Sequence, residues 1–84
     1  MSYSIQILRR AQKELAQLPK QEYERIKEAV QNLSQDARPS GCKKLTGREG
    51  WRLRVGDYRV LYEIDDAQNK LTILHIGHRR DVYK

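Results

Sequence analysis

The sequence predicts an α+β domain in the order β-α-α-β-β-β, with two N-terminal helices packed on one face of an antiparallel sheet. Three observations carry this. The hydrophobic period changes from two to three-or-four near residue 8. A proline, Pro19, divides the helical region that follows. Two alternating apolar runs then meet at Gly56-Asp57, as the strands of a hairpin do. Helices followed by a run of strands form a two-layer domain.

Each element has its own signal. Residues 2–8 alternate Tyr3, Ile5 and Ile7 with Ser2, Ser4 and Gln6, which predicts a strand with one buried face. Leu8, Ala11, Leu15 and Leu18 then recur at spacings of three and four, marking one stripe of a helix over residues 9–18. Pro19 ends it and opens a second helix, whose start suits Glu22 and Glu24 because the helix dipole is positive there. Tyr23, Ile26, Val30 and Leu33 form the second apolar stripe, and the helix ends near residues 34–36. Residues 36–50 carry three glycines and a proline and are expected to form a loop, with Leu45 as its anchor on the core. Strands follow at about 51–55 and 58–65, then a polar turn at 65–70, then a nearly continuous apolar strand at 71–76. The tail begins at Gly77.

Eighty-four residues make one domain, spanning 1–84. With 38% hydrophobic and 33% charged residues the chain is globular rather than disordered. Its apolar runs are far shorter than a membrane span. Its opening residues lack the pattern of a secretion signal, and its single cysteine, Cys42, can form no internal disulfide. A reducing cytoplasm is the expected location. The net charge of +6 is unevenly placed: residues 1–37 hold six Lys/Arg and five Asp/Glu, whereas residues 38–84 hold eleven and six. A basic C-terminal half favours nucleic acid, an acidic protein, or both.

Residues 51–62 concentrate this charge. Arg52, Arg54 and Arg59 alternate with Trp51, Leu53, Val55, Tyr58 and Val60, so one face is apolar and the other carries guanidinium groups. Like charges on one sheet face are unfavourable unless an anion meets them, and arginine forks fit phosphate oxygens. Whether all three share a face depends on the turn at Gly56-Asp57. His75, His78 and Cys42 have no spacing that completes a metal site, and no cofactor is expected. RNA carries its own nucleophile, the 2′-hydroxyl, so its cleavage needs only a base, an acid and cations around the phosphorane. Arg52, Arg54, Arg59 and Arg79 supply charge; His78 and Tyr83 are the titratable candidates. From chemistry alone Tyr83 is either a packed C-terminal aromatic or a phenol whose ionisation the nearby cations favour. His78 is either a surface histidine or an acid–base group, and His75, inside an apolar strand, reads as a hydrogen-bonded core histidine.

Four short motifs in order, Lys44-Leu45-Thr46-Gly47, Trp51-Arg52-Leu53-Arg54-Val55, Asp57-Tyr58-Arg59-Val60-Leu61-Tyr62 and Ile76-Gly77-His78-Arg79-Arg80-Asp81-Val82-Tyr83, make the chain resemble the RelE family of bacterial toxins, within the RelE/ParE superfamily. The Leu18-Pro19 junction fits as well. The resemblance implies a ribosome-dependent endoribonuclease that cuts mRNA in the ribosomal A site and is neutralised by a cognate antitoxin. It implies that Arg52 and Arg54 stand where basic residues, usually lysines, bind the scissile region. Arg59 holds the phosphate, Arg79 stabilises charge or protonates the leaving group, and Tyr83 stacks on a base and acts as base. Lys43, Lys44, Arg48 and Arg80 are the expected further RNA contacts. Arginine at 52 and 54 excludes a base role there, because arginine stays protonated; proton transfer then falls to Tyr83 and His78.

The implied partners are an antitoxin, in a hetero-oligomeric complex, and the ribosome with its rRNA and mRNA. Operator DNA is reached only through the antitoxin, and no membrane is involved. An antitoxin segment would either lie over the sheet or displace the Tyr83 tail. Two other readings stand beside this one: a ParE-type poison of DNA gyrase, and a non-catalytic antitoxin-binding module.

Overall fold

The computed structural model describes residues 2–47 and 49–78. Strand β1 (Ser4–Ile7) leads into helices α1 (Arg9–Ala16) and α2 (Lys20–Asn32); strands β2 (Cys42–Lys44), β3 (Trp51–Val55), β4 (Tyr58–Asp65) and β5 (Lys70–His78) follow. They form one five-stranded sheet in the order β1-β5-β4-β3-β2. The α+β class and the two N-terminal helices are as the sequence predicts. Three details differ.

First, the sheet is mixed. β1 pairs in parallel with β5, from Ser4 opposite Lys70 to Ile7 opposite Ile73, while every other pairing is antiparallel. Parallel pairing needs a long crossover, and the chain between these two strands is long enough to supply one. Second, the expected loop contains the three-residue strand β2. It has no alternating pattern of its own and exists by pairing with β3, Cys42 opposite Leu53 and Lys44 opposite Trp51. Leu45 is half-buried beside it and lies outside the core. Third, β5 runs on through Gly77 and His78, which pair with Arg59 and Tyr58, so the tail starts later than expected.

The helix ends follow from Pro19. The residue before a proline avoids the helical region, so α1 stops at Ala16 and Leu18 lies outside it. Pro19 caps α2, and its carbonyl accepts the Tyr23 N–H at 2.8 Å. The helices bury Ala11, Leu15, Ile26 and Val30, with Leu33 just past the end of α2, against Leu53, Val60, Tyr62, Leu71, Ile73 and Ile76 of the sheet. A bulge in β5 arranges this face: Leu61 pairs with His75 but Tyr62 with Ile73, leaving Leu74 as the extra residue. Ile73 and Ile76, three apart, therefore both reach the core.

At the other side of the domain Tyr3 donates its hydroxyl proton to Asp66 Oδ1 (2.5 Å), and Arg38 Nη2 meets Asp66 Oδ2 at 2.9 Å. The same guanidinium lies 5.0 Å from the centre of the Trp51 ring. The Tyr3 hydroxyl, and then Arg38, hold the Asp66 carboxyl below its ordinary range. Gly50 closes the loop before β3. It is buried with φ +122°, and a Cβ there would sit 3.1 Å from Leu45 Cδ1 and 3.3 Å from the Tyr62 carbonyl oxygen. Gly50→Ala is expected to lower stability by about 1–3 kcal/mol, because neither the backbone angle nor the space suits an L side chain. Urea denaturation measures it; an unchanged midpoint would refute the account.

Candidate nucleic-acid interface

The β3–β4 hairpin builds the site. Val55 pairs with Tyr58 around the two-residue turn Gly56-Asp57, with Gly56 at φ +60°. A glycine at the first turn position with positive φ matches the twist of the flanking strands. This short turn sets the register, with Arg54 opposite Arg59 and Arg52 opposite Leu61. Cross-strand partners share a face, and so do residues two apart on a strand. Arg52, Arg54 and Arg59 therefore stand together on the side of the sheet away from Leu53, Val60 and the helices. The question left open by the sequence, whether the turn places all three on one face, is answered by this register.

The face has two cross-strand rows. One runs Lys43, Arg52, Leu61, His75 across β2 to β5; the next runs Arg54, Arg59, Gly77. Gly77 brings no side chain of its own to the row. Arg54 is exposed, and Arg52 and Arg59 are partly buried. Arg59 Nη1 donates to the Tyr58 carbonyl at 3.2 Å, which orients the guanidinium along the hairpin. Leu61 is only 4% exposed although it lies outside the main core, and forms an apolar floor between the polar groups.

The other expected site residues divide. Lys43 joins the arginine face, whereas Lys44 pairs with Trp51 and alternates to the helix side. His78 is not brought to the arginines. It pairs with Tyr58, meets that ring edge-on with centroids 5.5 Å apart, and lines a recess with Pro19, Glu22, Arg25 and Asp57 on the helix side. The grouping of His78 with the arginines assumed that the tail begins at Gly77; continuing β5 through residue 78 puts His78 and Arg59 on opposite faces. Arg48, Arg79, Arg80 and Tyr83 lie outside the described residues.

Sequence reasoning missed a contact at the edge of this face. β1 ends at Ile7, so among the described residues β5 beyond Ile73 has no strand on its outer side. Glu14 of α1 takes the strand's place: its Oε1 accepts the Ile76 N–H at 2.9 Å, and its Oε2 lies 2.6 Å from His75 Nδ1. The second contact is close in distance but poorly aligned with the ring N–H direction. Arg10 Nε also approaches Glu14 Oε2, at 3.4 Å. Helical spacing places Glu14 beside the buried Leu15, but only the end of β1 shows that a carboxylate there meets an open strand edge. An apolar groove of about 520 Å³ lies elsewhere, between β1 and the helices, lined by Ile5, Ile7, Leu15 and Tyr23 among others; it contains none of the expected site residues. No helix among the described residues is long and apolar enough to cross a membrane.

Comparison with known proteins places this geometry. Residues 5–83 match the family described as the ParE toxin of the type II toxin–antitoxin system, parDE. Toxin RelG of Mycobacterium tuberculosis is 32% identical over 88 residues, covering 100% of this chain and 99% of the relative. Among solved structures, the archaeal RelE–RelB complex from Pyrococcus horikoshii gives a TM-score of 0.85 at 31% identity, covering 98% of this chain and 100% of the matched one. The toxin–antitoxin complex RelBE2 of Mycobacterium tuberculosis gives 0.84 at 28% identity, covering 94% and 100%. The chain belongs to the RelE family of toxins, within the RelE/ParE superfamily of type II toxin–antitoxin systems.

Proposed function

We propose that this toxin is a ribosome-dependent endoribonuclease that cuts mRNA in the ribosomal A site and is silenced by a cognate antitoxin. The carrying observation is the shared face of Arg52, Arg54 and Arg59, with Arg54 directly opposite Arg59. Such crowding of like charge costs stability unless it serves an anion. In the cut, the 2′-oxygen bonds to phosphorus and the bond to the 5′-oxygen breaks, leaving a 2′,3′-cyclic phosphate and a 5′-hydroxyl. The developing charge on the phosphorane oxygens is met by guanidinium groups already in place. Lys43 extends the contact along the RNA. Arg79 and Tyr83, carried over from the family resemblance, add charge and a ring for base stacking. His78, on the other face, takes no part in the proton transfer.

The antitoxin is the second partner. The relatives solved with RelB support it, and an acidic or amphipathic segment that folds on binding suits a basic surface. The ParE description of the matching family favours one rival, a gyrase poison, and fold alone does not choose between them. Labelled mRNA in a programmed translation extract does. Cuts in codon register that require ribosomes and stop on adding antitoxin are the expected result. Gyrase-dependent DNA breaks without mRNA cuts would replace this reading with the ParE one, and neither activity would leave an antitoxin-binding module.

A further inference from the structure

We propose that His75 is the general base of this site and that Glu14 is the carboxylate that positions it. The inference rests on the ribonuclease reading above and names the group that takes the 2′-hydroxyl proton.

His75 stands in the same cross-strand row as Arg52, with Leu61 between them. Neighbouring strands are about 4.8 Å apart, so the two backbones are separated by about 10 Å. A phosphate held by the Arg52 fork would lie on the same face of the sheet as the imidazole. Gly77, two residues on along the same face, brings no side chain beside Arg59. The ring is 13% exposed. Its Nδ1 lies 2.6 Å from Glu14 Oε2, off the line of the ring N–H, and Nε2 is the other ring nitrogen. Glu14 is itself fixed, because its other oxygen accepts the Ile76 N–H at the open edge of β5.

This charge beside the ring is what a histidine base uses. A carboxylate next to Nδ1 favours the proton there, so that the Nε2 lone pair faces substrate, and stabilises the imidazolium formed when the base acts. In the reaction Nε2 takes the proton of the 2′-hydroxyl as the 2′-oxygen–phosphorus bond forms. The bond from phosphorus to the 5′-oxygen breaks, and that oxygen takes a proton from water. The imidazolium then returns its extra proton to water, so no proton or atom is gained or lost. Arg10, also near Glu14 Oε2, is largely exposed and shares rather than displaces the contact.

Single-turnover cleavage on programmed ribosomes, at saturating toxin, tests this. His75→Ala is expected to lower the cleavage rate constant about 10²-fold or more while ribosome binding stays at the wild-type level. Imidazole added to the buffer is expected to restore part of the lost rate, which a purely structural role for His75 would not allow. His75→Gln, which keeps bulk and polarity but takes no proton, should be as slow as His75→Ala and melt near wild type. Glu14→Gln should slow the same step by less, without weakening ribosome binding. If the wild type cuts mRNA and either His75 variant cuts at the wild-type rate, or imidazole restores nothing, the base assignment alone is overturned. A wild type that cuts no mRNA overturns the ribonuclease reading itself.

Discussion

Arg59→Ala is expected to cut mRNA about 10²–10³-fold more slowly than wild type at saturating toxin, the scale of losing one preorganised donor to a developing oxyanion. Arg59 is the best placed of the three arginines. It is partly buried, directed by its bond to the Tyr58 carbonyl, and flanked by the bare Gly77. Its fork can hold two phosphate oxygens at once. Arg59→Lys keeps the charge but loses the planar fork, so its rate should fall between those of alanine and wild type. Stability should move the other way. Arg54 and Arg59 are directly opposed like charges, and removing one relieves their repulsion. The melting temperature of Arg59→Ala should therefore equal or exceed that of wild type. A loss of activity with no loss of stability marks a residue kept for function against the interest of the fold. Should Arg59→Ala cut at the wild-type rate, or lose activity only by unfolding, the phosphate-holding role is wrong.

The fold was legible wherever one residue's neighbours decide its place. Ile5 and Ile7 alternate, Leu15 and Ile26 fall on helical stripes, and Pro19 must interrupt a helix; these are local facts. Gly56-Asp57 made the hairpin readable and, with it, the arginine face. What the sequence hid is set by pairing between distant segments. β2 is a strand only because Cys42 and Lys44 find Leu53 and Trp51. The parallel pairing of β1 with β5 is a matter of chain path, to which a short alternating strand is indifferent. The bulge at Leu74 mattered most for the site. Strict alternation would send Ile73 and Ile76 to opposite faces; the extra residue keeps both in the core and turns His75 toward the arginines. The same strand, extended two residues further than expected, carried His78 away from them. A histidine was expected in the site, and pleat and bulge decide which of the two shares the arginine face.

Tyr62→Ala is expected to remove most of the domain's stability. Tyr62 is among the largest fully buried side chains, with 0% of its surface exposed, and its hydroxyl donates to the Ala37 carbonyl at 2.8 Å. Burial pushes this phenol far above its ordinary range, with a smaller push from Cys42, so it remains a neutral donor. Removing a buried aromatic ring costs about 3–5 kcal/mol, and an orphaned carbonyl adds about 1–3 kcal/mol. A chain of this length has about 4–13 kcal/mol in all, so the loss takes most of it. Tyr62→Phe separates the two contributions. It keeps the ring and loses only the tie from β4 to Ala37 behind α2, lowering stability by about 1–2 kcal/mol, read as a lower urea midpoint at unchanged slope. Because Tyr62 faces the helices and not the arginines, mRNA cutting per folded molecule should be the same for Tyr62→Phe as for wild type. The proposed antitoxin sharpens the contrast. A partner that binds only the folded toxin adds about 4 kcal/mol at a thousand times its Kd, enough to offset much of the Tyr62→Ala loss in the complex. Released from that complex, the Tyr62→Ala variant should melt far below wild type, whereas Arg59→Ala should melt near it and stay inactive.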